Sequence, residues 1–214
     1  MPLTDLIEAK PSGSAQLRNE PVQARSTARL TALLDAAAAA VHELGYERLT
    51  TAMVAERAGA SIGTVYRYFP DRIAVLQALG SRNLERVLTG VSASFADRTL
   101  ADWREAVDST FDIYVDAFRT EPGFGSLRCG DVIDLRPAST PMTFNSHIAD
   151  AMVELLAERF GIEDTEATHF AFENAIEVMD ALVALAFARD ANGDPRILAS
   201  GRALVISIIA DELD

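Results

Sequence analysis

Thr51-Ala52-Met53-Val54-Ala55-Glu56-Arg57-Ala58-Gly59-Ala60-Ser61-Ile62-Gly63-Thr64-Val65-Tyr66-Arg67-Tyr68-Phe69 is the stretch on which the reading of the fold turns. Two short helices that cross steeply need a small residue where they touch, a residue that tolerates positive φ in the turn, and apolar side chains facing inward. Ala55 meets the first need, Gly59 the second, and Val54, Ala58 and Val65 the third. Thr50-Thr51 offers an N-cap hydroxyl to a short helix through Ala58, and Ser61 offers one to a second helix, Ile62 to Phe69. The pattern is a helix-turn-helix whose second helix presents Ser61, Ile62, Gly63, Thr64, Arg67 and Tyr68 outward to a major groove. Periodicity alone leaves one competitor open, a helical hairpin buried in an all-α protein.

Upstream, Leu30, Leu33, Leu34, Ala37, Val41 and Leu44 form one stripe of an amphipathic helix starting near Ala24, and Gly45 sits where its C-terminal cap belongs. Residues 1–21 hold Pro2, Pro11, Gly13 and Pro21 without a sustained apolar period and are expected to be a flexible arm. Downstream, Pro70-Asp71 stops the second short helix and starts a longer one carrying Val75, Leu76, Leu79, Leu84, Val87, Leu88 and Val91. Further helices are expected over about 102–120, 141–160, 164–189 and 195–213, with a short turn near 124–128. The path of 121–141 is the least legible, because Pro122, Gly123, Gly125, Gly130 and Pro137 interrupt any period. No strand pattern emerges, so the expected class is all-α: a helix-turn-helix domain over 22–72 and a helical domain over 73–214, with 73–91 as connecting helix.

The 214 residues, 49% of them hydrophobic, suffice for a real core. A formal net charge of −13 argues at first against nucleic acid. The average misleads: residues 1–90 sum to +1 and residues 91–214 to −14, an asymmetry that suggests two parts with different tasks. The lone Cys129 cannot form an internal disulfide or furnish a cysteine zinc site. The apolar runs near the C-terminus are cut by Asp180, Arg189 and Arg202, and the first residues lack the pattern of a signal peptide, so a cytoplasmic protein with no membrane span is expected.

The segment Leu49-Thr-Thr-x-x-Val-Ala-x-x-Ala-Gly-Ala-Ser-Ile-Gly-Thr-Val-Tyr-Arg-Tyr-Phe-Pro-Asp-Arg-x-x-Val-Leu76 resembles the DNA-binding domain of the tetracycline-repressor (TetR) family of bacterial transcriptional regulators. The resemblance covers about residues 24–76, with Arg72 standing where a lysine is usual and a leading arm longer than many. It implies phosphate contacts from Thr51, Tyr66 and Arg72, which suits their hydroxyl, phenol and guanidinium chemistry. The candidates for reading bases are Ile62, Gly63, Thr64, Arg67 and Tyr68; Arg67 can fork to guanine and Thr64 can offer its methyl to thymine. Arg18, Arg25 and Arg29 are expected to add backbone contacts. For the acidic helical remainder the resemblance implies a ligand-binding and dimerisation domain.

The residues themselves support that division. From Ala175 to Ala188 almost every residue is apolar, and from Ile197 to Ala210 only Ser200, Arg202 and Ser207 interrupt. A helix apolar all round must be buried all round, which points to a four-helix homodimer interface using Ile176, Met179, Val183, Gly201, Val205 and Ile208. An effector pocket is expected among Trp103, Phe111, Tyr114, Phe118, Phe124, Met142, Phe144, His147, Phe170 and Met179, with Tyr114, His147 and Asn145 as polar anchors. Asp108, Asp112 and Asp116 share a face that is expected to be solvated. His147 with Asp150 and His169 with Glu173 have helical ligand spacing but no third histidine nearby, so neither a metal nor another cofactor is expected. No nucleophile elbow, P-loop, dinucleotide fingerprint or zinc-protease helix is present. The expectation is a ligand-responsive repressor, not an enzyme, released from a palindromic double-stranded operator by a small, mostly apolar effector. The alternatives are a protein-binding helical scaffold and an activator of the same fold.

Overall fold

The computed structural model describes residues 24–96, 99–127 and 144–213, and among them it contains eight α-helices and no strand. These are α1 (Ala24–Leu44), α2 (Thr51–Arg57), α3 (Ile62–Tyr68), α4 (Arg72–Ala96), α5 (Trp103–Thr120), α6 (Phe144–Phe160), α7 (Glu166–Arg189) and α8 (Pro195–Leu213), with single 3-10 turns at Tyr46–Arg48 and Phe124–Ser126. The leading arm, Arg18, Cys129 and Met142 lie outside the described residues, as do the side chains of Phe144 and His147. The chain divides into two compact units, the boundary falling inside α4 between Leu84 and Glu85.

The N-terminal unit comprises α1 to α3, the first half of α4 and the segment from Glu121. Its core is the stripe read from α1, Leu33, Ala37 and Val41, packed with Leu49, Val54, Val65, Phe69, Val75 and Leu79, all inaccessible or nearly so. Each of the larger of these side chains, the leucines, valines and Phe69, stabilises the fold by roughly 1.5–3 kcal/mol on burial, which is what holds two helices too short to persist alone. Arg82 ties α4 to α1 through Asp35 Oδ1 at 2.7 Å. The alanine run of α1 is more than a helix former: Ala36, Ala37, Ala38 and Ala40 are all buried. One reason is the turn Phe124–Ser126, which packs on α1 and brings Phe124 and Leu127 into this unit with no exposure. Phe124, expected in the effector pocket, therefore belongs with the N-terminal helices. Sequence periodicity carries no signal for such a return of the chain.

The C-terminal unit comprises the second half of α4 and α5 to α8, with α7 packed against α8, α6 and α5. Gly193 makes the α7–α8 turn possible: its φ is +83°, and a Cβ there would lie 2.9 Å from Leu198 Cδ1 and 3.1 Å from Phe187 Cε2. Asp194 then caps α8, its Oδ1 accepting from the Arg196 amide at 3.0 Å and its Oδ2 from the Arg196 guanidinium at 2.7 Å. That hydrogen bond from the Arg196 side chain, with the one from its amide, holds the carboxyl down at about 2.

Three expectations are corrected here. Val183, Gly201 and Val205 are buried within the chain, where they join α7 to α8; a Cβ on Gly201 would already sit 3.3 Å from Leu182 Cβ and 3.5 Å from Phe111 Cζ. They are core, not dimer surface, whereas Ile176, Met179 and Ile208 are half-buried. Phe170 is 66% exposed, because Thr168, Ala171, Phe172 and Ala175 set the inward face of α7 and Phe170 projects from the opposite side. The aspartate face of α5 is not merely solvated: Arg202 of α8 forks onto Asp108 and Asp112, with its guanidinium carbon 4.7 Å from the centre of the Phe111 ring.

His169 joins α7 to α6 and to the loop between them, with Nδ1 2.6 Å from Asp150 Oδ1 and Nε2 2.7 Å from Asp164 Oδ1. Burial alone would lower its pKa, but hydrogen bonds to Asp164 and Asp150 and their charges outweigh it, so the imidazole titrates above its ordinary 6.5. A raised folded-state pKa stabilises fully below about 6.5, and that contribution is lost as pH rises through the folded value. Urea unfolding between pH 6 and 9 should therefore show stability falling with pH, and His169→Gln should flatten that slope. An unchanged slope in the variant would refute the role given to His169.

Candidate nucleic-acid interface

Both short helices are closed at their starts by side chains. Thr50 Oγ1 accepts from the Met53 amide at 3.2 Å, and Ser61 Oγ accepts from the Thr64 amide at 3.1 Å. Between them Gly59 takes φ +57°, and the Ala60 amide donates back to the Ala55 carbonyl at 2.9 Å, ending α2 in the left-handed turn that glycine allows. Val54, Ala55 and Val65 are buried between the helices. With those positions consumed by packing, Ile62, Gly63, Tyr66 and Arg67 are left exposed and Thr64 half-buried.

The phosphate candidates are held by the fold in two places. Thr51 Oγ1 donates to the Tyr66 hydroxyl at 3.4 Å, so residues fifteen positions apart present one pair of hydroxyls. Arg72 donates from Nη1 to the Glu47 carbonyl at 2.7 Å, which fixes the guanidinium against the 3-10 turn that follows α1.

Tyr68 must be reassigned. Val65 and Tyr68 lie at i and i+3 on one face of α3, with the buried Phe69 just past its end, so Tyr68 follows Val65 inward and is 6% exposed. Its hydroxyl lies 3.0 Å from Ser26 Oγ and donates to the Ser26 carbonyl at 3.4 Å. A base reader cannot be spent in this way. Ser26 is not marked out by sequence, since a serine on the first turns of a helix carries no distinguishing pattern.

Beside this contact is an open groove of about 640 Å³ lined by Arg25, Ser26 and Arg29 from α1, by Gly59, Ala60 and Ser61 of the turn, and by Thr64, Arg67 and Tyr68 of α3. Two other arginines of this unit are neutralised: Arg57 forks onto Glu43 at 2.5 and 2.9 Å, which lowers the Glu43 pKa, and Arg82 pairs with Asp35. Arg25, Arg29 and Arg67 make no ion pair among the described residues. A unit of nearly balanced charge thus concentrates unpaired cations on the face that carries the exposed side of α3.

Comparison with known proteins agrees with this geometry. Residues 33–79 match the family described as "Bacterial regulatory proteins, tetR family", and residues 101–212, more than half of the chain, match "Tetracyclin repressor-like, C-terminal domain". The chain belongs to the TetR family. A TetR-family transcriptional regulator from Streptomyces coelicolor is 33% identical in sequence, with a TM-score of 0.72 over 86% of this chain and 98% of that one. The HTH-type transcriptional repressor KstR of Rhodococcus jostii is 42% identical over 55 residues; that match covers 26% of each protein, so the likeness spans about a quarter of the length of these curated relatives. A TetR variant from Acinetobacter baumannii, solved in complex with minocycline, shares the fold at 20% identity, with a TM-score of 0.59 over 85% of this chain and 94% of that one.

Among the effector candidates, Trp103, Phe111 and Tyr114 are buried, while Phe118 and Met179 are half-buried. Three rings meet: Phe118 lies 5.3 Å from Tyr114 and 5.1 Å from Phe187, and Tyr114 donates its hydroxyl to Asp180 at 2.5 Å. Phe187 escapes sequence reasoning because an aromatic inside an unbroken apolar helix has no distinguishing pattern. Asn145 donates to Glu177 at 2.8 Å. No group of three or more histidine, cysteine or acidic residues able to hold a metal stands together among the described residues, and no helix there is long and apolar enough to cross a membrane.

Gly59 supplies a test of the turn. A Cβ at this position would meet no heavy atom within 4 Å, so space is not the constraint and φ is. Gly59→Val should cost about 1–2 kcal/mol in urea unfolding, while Gly59→Asn, which visits the left-handed region readily, should cost far less. Equal losses would show that the backbone conformation is not what requires glycine.

Proposed function

We propose that this TetR-family regulator is a homodimeric repressor that leaves a palindromic operator when a small, mostly apolar molecule binds its C-terminal unit. The observation that carries the reading is the gathering of Arg25 and Arg29 of α1 with Arg67 of α3 in one groove, none of them in an ion pair among the described residues, together with the Thr51–Tyr66 hydroxyl pair, in a chain whose net charge is −13. Thr51, Tyr66 and Arg72 would grip phosphates, and Ile62, Gly63, Thr64 and Arg67 would face base edges. Nothing in this reading requires chemistry beyond binding, and both DNA and effector would be met in the cytoplasm.

A two-fold dimer would set its two copies of α3 ~34–36 Å apart to enter successive major grooves. Surface suited to pairing is supplied by Leu185 at 42% and Leu204 at 49% exposure, with exposed Ala181, Ala188, Ala199 and Ala203 on the same two helices. The ring cluster of Tyr114, Phe118 and Phe187 is the proposed wall of the effector site, and the Tyr114–Asp180 pair its polar anchor. Because α4 begins at Arg72 and continues as one helix into the C-terminal unit, an effector that favours another helix arrangement would disturb DNA contacts through it, a coupling typically of ~1–3 kcal/mol.

Selection of binding sites from random duplexes tests the DNA assignment. Arg72→Ala should retain the parent's preferred sequence while weakening every duplex, whereas Arg67→Ala should change the preferred sequence. A parent protein with no sequence preference would overturn the regulator reading. Separately, Leu204→Asp and Leu185→Asp should yield folded monomers by light scattering, with operator affinity reduced at least tenfold; dimers of unchanged size would place the interface elsewhere.

A further inference from the structure

We propose that the Tyr68–Ser26 hydrogen bond positions a second phosphate clamp, in which Arg25 and Arg29 grip the duplex backbone beside the recognition helix; this rests on the DNA-binding reading above. Arg25 and Arg29 stand four residues apart on one face of α1 and line the same groove as Arg67 of α3. Like charges at that spacing oppose one another, and among the described residues no carboxylate lines the groove to relieve them. Guanidinium and hydroxyl donors converge there from three segments, a donor set that suits an anion rich in acceptor oxygens.

Such a clamp works only if the start of α1 is held. The first turn of a helix has unsatisfied amides and frays readily, and α1 carries no acidic residue in its first turn to oppose that. Tyr68 provides the fixed point. Its ring is packed in the core next to Phe69, with centroids 6.4 Å apart, and only its hydroxyl reaches out to Ser26, one residue after Arg25 and three before Arg29. The recognition helix thereby sets the position of the two arginines directly, so base-facing and backbone-facing groups would move as one body. Tyr68 is on this account a positioning residue that touches no nucleotide.

The test measures binding of the full chain to a random-sequence duplex between 50 and 200 mM salt, since backbone contacts need no operator. Each lost phosphate contact removes ~0.9 from the slope of log affinity against log salt. Arg25→Ala with Arg29→Ala should lower the slope by about two contacts, narrowing the loss of affinity across that salt range roughly tenfold. Tyr68→Phe, which keeps the ring and removes both bonds to Ser26, should lower the slope in the same direction with the thermal midpoint nearly unchanged. It should not add to the arginine double variant. Tyr68→Phe with a wild-type slope, or a further loss when it is added to the double variant, would overturn the positioning role. Saturable stabilisation of the wild type by inorganic phosphate at matched ionic strength, absent in Arg29→Ala, with no change in duplex slope, would overturn the clamp in favour of a free-phosphate site. If the wild type does not bind duplex even at 50 mM salt, it is the DNA-binding reading itself that fails.

Discussion

Seven-residue helices do not hold themselves, and the interface of this protein is built from two of them. The contact that makes them one object is the burial of Val54 and Ala55 against Val65 across the turn at Gly59. Everything that faces outward on α3 has its direction fixed by what α3 must turn inward. Because Val65, Tyr68 and Phe69 are consumed by the core, the exposed side is reduced to Ile62, Gly63, Tyr66 and Arg67, with Thr64 at its margin. The same inward demand reaches α1, whose first turn is joined to Tyr68, and α4, whose Arg72 is joined to the turn after α1. A helix pair that relies on its neighbours for stability also takes its orientation from them.

How much of this is legible in the sequence depends on the range of the interaction. Thr50, Gly59 and Ser61 act within a few residues of themselves, so their roles follow from residue type and spacing, and so do the ends of α1, α2 and α3. The inward turn of Tyr68 is in principle legible from its spacing to Val65, yet a tyrosine among polar neighbours on a helix this short fits either face equally well. Phe124 is not legible at all: its burial in the N-terminal unit depends on a chain return between segments far apart in sequence, and no local period encodes that. Val183, Gly201 and Val205 show a third limit. Two helices that are apolar all round can satisfy one another within a chain, and composition cannot separate that face from one that meets a second copy. Their exposed neighbours Leu185 and Leu204 differ from them in position around the helix, not in chemistry.

The net charge of −13 takes on a different meaning once the acids are located. In the C-terminal unit seven of them are bound to particular donors: Asp108 and Asp112 to Arg202, Asp150 and Asp164 to His169, Glu173 to Ser146, Glu177 to Asn145 and Asp180 to Tyr114. Several of these donors are neutral, so the hydrogen bonds secure the carboxylates while leaving their charge uncancelled. That unit therefore keeps a strong negative field, and phosphate is repelled from it at distances up to about a Debye length, ~8–10 Å at moderate salt. The N-terminal unit is the reverse case: Arg57 and Arg82 are spent on Glu43 and Asp35, while Arg25, Arg29 and Arg67, without an ion pair among the described residues, line one groove. An acidic protein built in this way offers a polyanion one unit and withholds the other. Repulsion by the acidic unit and attraction by the arginine groove both favour approach through the N-terminal helices, so a net charge that at first sight forbids DNA binding instead restricts how it can occur.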